Sequence, residues 1–134
     1  MSSAKTFDAF SARLAAERAT EKEIGRLRDM LAVMRDAEAA NDIAKLTEVH
    51  LQLREAIYRM SGHELLVQIF DQIHPRMALA LIFAENLFSS EGHETDCHVP
   101  LVDALARHDG DAAERIAKEL ALGWIDQIVL EKEE

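Results

Sequence analysis

The sequence predicts an all-α domain, an antiparallel bundle of about six helices, and three observations carry that expectation. Apolar residues recur at steps of three and four along most of the chain, the period of a helix with one buried face. No segment alternates apolar and polar residues in the manner of a half-buried strand. Only five glycines and two prolines punctuate 134 residues, too few breakers for a turn-rich β architecture. The length fits one domain spanning residues 1–134. Its composition, 49% apolar and 30% charged, is that of a globular chain.

The first helix is expected over residues 6–19, with Phe7, Phe10, Leu14 and Ala15 as its apolar stripe. Thr20-Glu21-Lys22-Glu23 reads as a capping box, in which the Thr20 hydroxyl takes an orphan amide and Glu23 reaches back. It opens a second helix with Ile24, Leu27, Met30, Leu31 and Met34 on one face. Asn41-Asp42 stops that helix near residue 40 and caps the next. The third helix, residues 42–60, carries Leu46, Val49, Leu53, Ile57 and Met60 at a clean helical period and ends at Ser61-Gly62. A fourth starts near His63 with Leu66, Ile69, Phe70, Ile73, Met77 and Leu81, and Pro75 should kink or divide it. Polar residues 89–95 read as a loop. The fifth helix is expected over residues 96–108 with Pro100 in its first turn, and the sixth from Asp109-Gly110-Asp111 to the acidic tail.

Charge and cysteine content exclude several function classes. The net charge is −10, from 25 acidic and 15 basic residues, with no local basic run. Such a surface repels phosphate backbones and anionic lipid, so neither nucleic-acid binding by this chain alone nor membrane association is expected. A single cysteine, Cys97, rules out an internal disulfide and fits a reducing, cytoplasmic setting. No apolar signal core follows Met1, and the longest apolar run, residues 77–84, is far too short to span a bilayer. No glycine-rich phosphate loop, nucleotide motif or Ser-His-Asp pattern is present.

A few polar residues fall on apolar stripes. His50 projects into the stripe of Leu46, Val49, Leu53 and Ile57, and Arg54 follows one turn later on its edge. His98 projects into the stripe of Leu101, Val102 and Leu105. Each histidine reads either as a satisfied core residue or as part of a polar pocket inside the bundle. Arg54 reads either as a carboxylate-binding group or as the ion-pair partner of a nearby acid such as Glu55 or Asp103. His63 and His74 are expected near helix boundaries, exposed or capping, and His93 in the polar loop. Tyr58 and Trp124 are packing anchors, and residues 131–134 a solvated end. Cys97 is adjacent to His98, but neighbours on a helix point about 100° apart, so the two do not form a nucleophilic pair.

Three segments carry a family resemblance. Ala12-Arg13-Leu14-Ala15-Ala16-Glu17-Arg18-Ala19-Thr20 is similar to the end of the first helix of the FCD domain, the effector-binding domain of FadR-subfamily GntR-type repressors. The stretch from Leu53 through Ser61-Gly62-His63-Glu64-Leu65-Leu66 resembles that family's Phe-His-x-x-Leu…Ser-Gly-Asn-x-x-Leu pattern. The stretch from His98 through Leu101, Ala104, Leu105 and Asp109, followed by Asp111-Ala112-Ala113, resembles its His-x-x-Leu-x-x-Ala-Leu-x-x-x-Asp motif. The likeness covers nearly the whole chain. The winged helix-turn-helix that precedes the domain in this family is not among these 134 residues.

Many FCD domains hold a metal with one Asp and three His, and the metal receives the effector's carboxylate. Carried over, the Asp position falls on His50, the next ligand on Arg54, the third on His98 and the last on Leu120. Arginine stays protonated and leucine has no donor, so two histidines remain where zinc wants three or four protein ligands. The resemblance therefore implies a pocket of His50, Arg54, His98 and Leu120 that takes a small organic acid without metal or cofactor, with Arg54 as the anion partner. It implies a homodimer as well. Two functions follow from it: a ligand-sensing regulator domain, or a metal-independent isomerase or lyase with His50 and His98 as acid and base.

Overall fold

The computed structural model describes residues 3–84 and 94–120. Among the described residues there are six helices and no strand: α1 (Ser3–Arg18), α2 (Glu21–Ala39), α3 (Ile43–Met60), α4 (Glu64–Ala84), α5 (Glu94–Ala106) and α6 (Gly110–Leu120). The expectations for His93, Trp124 and the acidic tail lie outside the described residues, as does most of the polar loop.

Local sequence sets the helix ends. Thr20 and Glu23 form the reciprocal capping box at α2, with the Glu23 amide donating to the Thr20 hydroxyl and the Thr20 amide to the Glu23 carboxylate. Asn41 takes a left-handed φ of 55°, and Asp42 caps α3 by accepting from the Lys45 amide at 3.1 Å. Gly62, at φ 66°, turns the chain out of α3 with the Arg18 guanidinium packed where a Cβ would stand. His63 caps α4, its ring nitrogen accepting from the Leu66 amide. Asp109 caps α6 through the Ala112 amide, and the ring of the left-handed His108 donates back to the Ala16 carbonyl in the last turn of α1 at 2.8 Å.

Pro100 departs from expectation, and of the kink or break expected at Pro75 the break does not occur. Pro75 does not divide α4, which continues to Ala84. Helix on either side holds it in register, so the loss is confined to the bond that the missing amide would make to Asp71. His74 is consequently in mid-helix and half-buried, not at a boundary, and its ring packs on Phe70 with centroids 5.2 Å apart. Helix α5 starts at Glu94, two residues earlier than the spacing suggests, so Thr95 leaves the loop and Pro100 leaves the first turn. The early start has a physical reason. The Glu38 carboxylate, at the end of α2, accepts from both the Thr95 amide and hydroxyl, giving α5 an N-terminal cap from another helix.

The main core draws on α1, α2, α3, α5 and α6, with Leu27, Met34, Leu53, Val102 and Leu105 fully buried. Helix α1 corrects the expected stripe. Its buried face is Ala9, Ala12, Ala15 and Ala16, together with Ser11 and with Ala19 just past its end, while Phe10 is 43% exposed. Phe7 and Leu14 lie against a smaller cluster of Tyr58, Leu66 and Phe70 that anchors α4. The alanine face belongs to the same core as Ala112, Ala113 and Ala117 of α6, and small residues on both helices let the backbones approach closely. Arg13 bridges this seam to Asp111 and to Glu114, the latter at 3.1 Å.

Candidate functional site

Helices α1, α3, α5 and α6 converge on a cavity of about 40 Å³. Asp8 and Ala12 from α1, Leu53, Arg54, Ile57 and Tyr58 from α3, His98 and Leu101 from α5, and Ala117 and Leu120 from α6 line it. Three of the four residues singled out in the sequence, Arg54, His98 and Leu120, therefore line one cavity. Leu120 is half-buried and packs against the main core. His50 does not line the cavity. It lies behind His98, the two rings meeting edge to face with centroids 4.8 Å apart. Both histidines are buried, at 6% and 7% exposure.

Burial drives the His50 pKa well below the ordinary histidine value, and the nearby His98 and Arg54 push it the same way. His50 is therefore neutral at neutral pH, and stays so because a cation there would face the Arg54 charge in a dry interior.

Arg54 finds its partner on another helix. Its guanidinium pairs with the Asp8 carboxylate, with side chains only 10% and 11% exposed. The alternatives read from the sequence have other partners: Glu55 bonds Arg59 at 3.0 Å, and Asp103 bonds Arg28 at 3.1 Å. The second Asp8 oxygen accepts from the Tyr58 hydroxyl. Burial and the Asp8 charge hold the Tyr58 phenol well above its usual range, so it acts as a donor. Arg54 Nε is buried and has no partner among the described residues. The packing anchor Tyr58, its ring 4.8 Å from that of Phe70, thus also fixes the orientation of a charged pair.

Asp8 is the residue that sequence reasoning missed. It lies four and seven residues before Ala12 and Ala15, on the alanine face of α1. A charged residue on a buried face needs a buried partner, so recognising that face would have identified it. The larger phenylalanines hid it by suggesting a different face.

The donor set does not fit the ion that many FCD domains hold. Of the four carried-over positions only His50 and His98 could ligate, and Arg54 places a fixed cation beside them. Among the described residues no group of three or more His, Cys, Asp or Glu is arranged to hold a metal ion. Cys97 is exposed. No described helix is long and apolar enough to cross a membrane.

McbR/YncC from E. coli has a similar fold, with a TM-score of 0.80 at 19% identity. The match covers 92% of this chain and 64% of that one, so this chain spans less than two-thirds of its structural neighbour. No curated protein matches the sequence. The FCD domain model matches residues 5–122, and the chain belongs to the FCD domain family.

Proposed function

We infer that this domain senses a small organic acid in the cavity between α1, α3, α5 and α6, and that Arg54 takes the part that a metal plays in many relatives. One observation carries the reading: a buried arginine lines a cavity in an FCD domain with Nε unpartnered among the described residues, and His98 and Tyr58 line the same cavity. A guanidinium offers a carboxylate two parallel N–H donors, a match no other side chain makes. The apolar remainder of the lining, Leu53, Ile57, Leu101 and Leu120, suits a short hydrocarbon chain. The domain works as a homodimer in the cytoplasm and leaves DNA contact to another module, in keeping with its net charge of −10.

The test is thermal melting with short mono- and dicarboxylates at matched ionic strength. At least one acid should raise the melting temperature of the wild type in a concentration-dependent manner and leave Arg54→Gln unmoved. Equal stabilisation of both proteins would refute the assignment.

The edge-to-face contact of His50 and His98 favours a second reading, metal-independent acid–base turnover of the bound acid. His98→Ala separates the two. It weakens binding modestly in a sensor and abolishes conversion of the bound acid in an enzyme.

A further inference from the structure

The Arg54 guanidinium is only half used. Asp8 reaches it at one end, Nη2, while its second oxygen accepts from the Tyr58 hydroxyl and makes no bond to Nε. The contact is therefore one-pronged, and Nε stays buried without a partner among the described residues. All three side chains line the same cavity, which at about 40 Å³ has room for little more than a few waters. A carboxylate arriving from solution could bond Nε and Nη2 together, the side-on geometry that Asp8 does not adopt.

We propose that Asp8 is an internal ligand of Arg54, an autoinhibitory carboxylate that an incoming organic acid must displace, so that acid binding breaks the ion pair between α1 and α3 and leaves the Tyr58 hydrogen bond as the weaker tie between them. The proposal rests on the organic-acid reading above and adds to it a competitor and a consequence. Asp8 sets the threshold for binding, because an acid sees only the fraction of molecules in which Arg54 is free. It also selects, since a neutral ligand gains nothing by displacing a carboxylate. Displacement leaves the Asp8 carboxylate with the Tyr58 hydroxyl as its remaining partner and frees it to swing toward solvent from its 11% exposure. The change occurs on α1, the helix at the N-terminal end of the domain.

Acetate is the probe, titrated into the full 134-residue chain with binding followed by amide NMR shifts around residues 54 and 98. Asp8→Asn removes the competing charge and should tighten acetate about tenfold or more. Tyr58→Phe keeps the ion pair but releases the second Asp8 oxygen, which can then reach Nε as well, so it should strengthen the internal ligand and weaken acetate binding. This variant keeps the proposal testable if Asp8→Asn folds poorly. In the wild type, saturating acetate should speed hydrogen exchange in the α1 turn around Asp8. If Arg54→Gln abolishes acetate binding while Asp8→Asn and Tyr58→Phe bind as the wild type does, the internal-ligand proposal is wrong and the organic-acid reading stands. If neither the wild type nor Asp8→Asn responds at residue 54, both fall.

Discussion

Replacing Arg54 with methionine should remove about 3–5 kcal/mol of folding stability, because it leaves the Asp8 carboxylate buried without its cation. The structure narrows the figure in two ways. Both side chains are about nine-tenths buried, so solvent screening does little to soften the loss. The Tyr58 hydroxyl still donates to Asp8, which places the single variant toward the lower end of that range. At roughly 2.1 cal/mol/K per residue, the corresponding fall in melting temperature is about 10–20 °C for a chain of this size. The double variant Asp8→Leu/Arg54→Met, which removes both charges, should return to within about 1 kcal/mol of the wild type. Urea denaturation of the four proteins closes the cycle, and the coupling between the two sites should be at least about 2 kcal/mol. A single-variant loss below about 1 kcal/mol, the value of an exposed pair, would refute the reasoning.

Three further outcomes are expected. His50 has a folded-state pKa well below its ordinary value, so the unfolded chain takes up its proton first; its contribution is complete above about pH 6.5 and is lost as the pH falls, by up to about 1.4 kcal/mol per unit. His50→Leu should flatten the stability profile by that slope, and an unchanged profile would contradict the assignment. Ala16, fully buried on the alanine face of α1, has no room for a larger side chain, and Ala16→Leu should destabilise by about 1–3 kcal/mol in the same denaturation assay, whereas Phe10→Ala should be near neutral. Light scattering should give a particle of twice the 15.0 kDa chain mass; a monomer at micromolar concentration would argue against the dimer.

Much of the fold could be read from the sequence because helix periods and caps are local signals. The stripes of α2 and α3, the capping box at Thr20 and the stop at Ser61-Gly62 all depend on residues within one or two turns of each other. The errors were nonlocal. The start of α5 is set by Glu38, 57 residues away from Thr95. The buried face of α1 is decided by the alanines of α6, about a hundred residues on, against which Phe10 could not fit. The candidate site divides the same way. Stripe positions placed His50 and His98 inside, and their contact across α3 and α5 became visible only in the fold. The partner of Arg54 was invisible for the same reason, because Asp8 is 46 residues away and outside the stripe expected for α1.

The most direct test of organic-acid sensing is to watch the Arg54 side chain itself while short carboxylates are added to the 15N-labelled protein. The account predicts that for at least one acid the Arg54 Nε–H resonance shifts saturably, as Nε gains an acceptor that no described residue provides, and that His98 responds with the same affinity. If every acid tested leaves Arg54 Nε–H and His98 unmoved, or shifts only exposed residues, the cavity between α1, α3, α5 and α6 is not a carboxylate site.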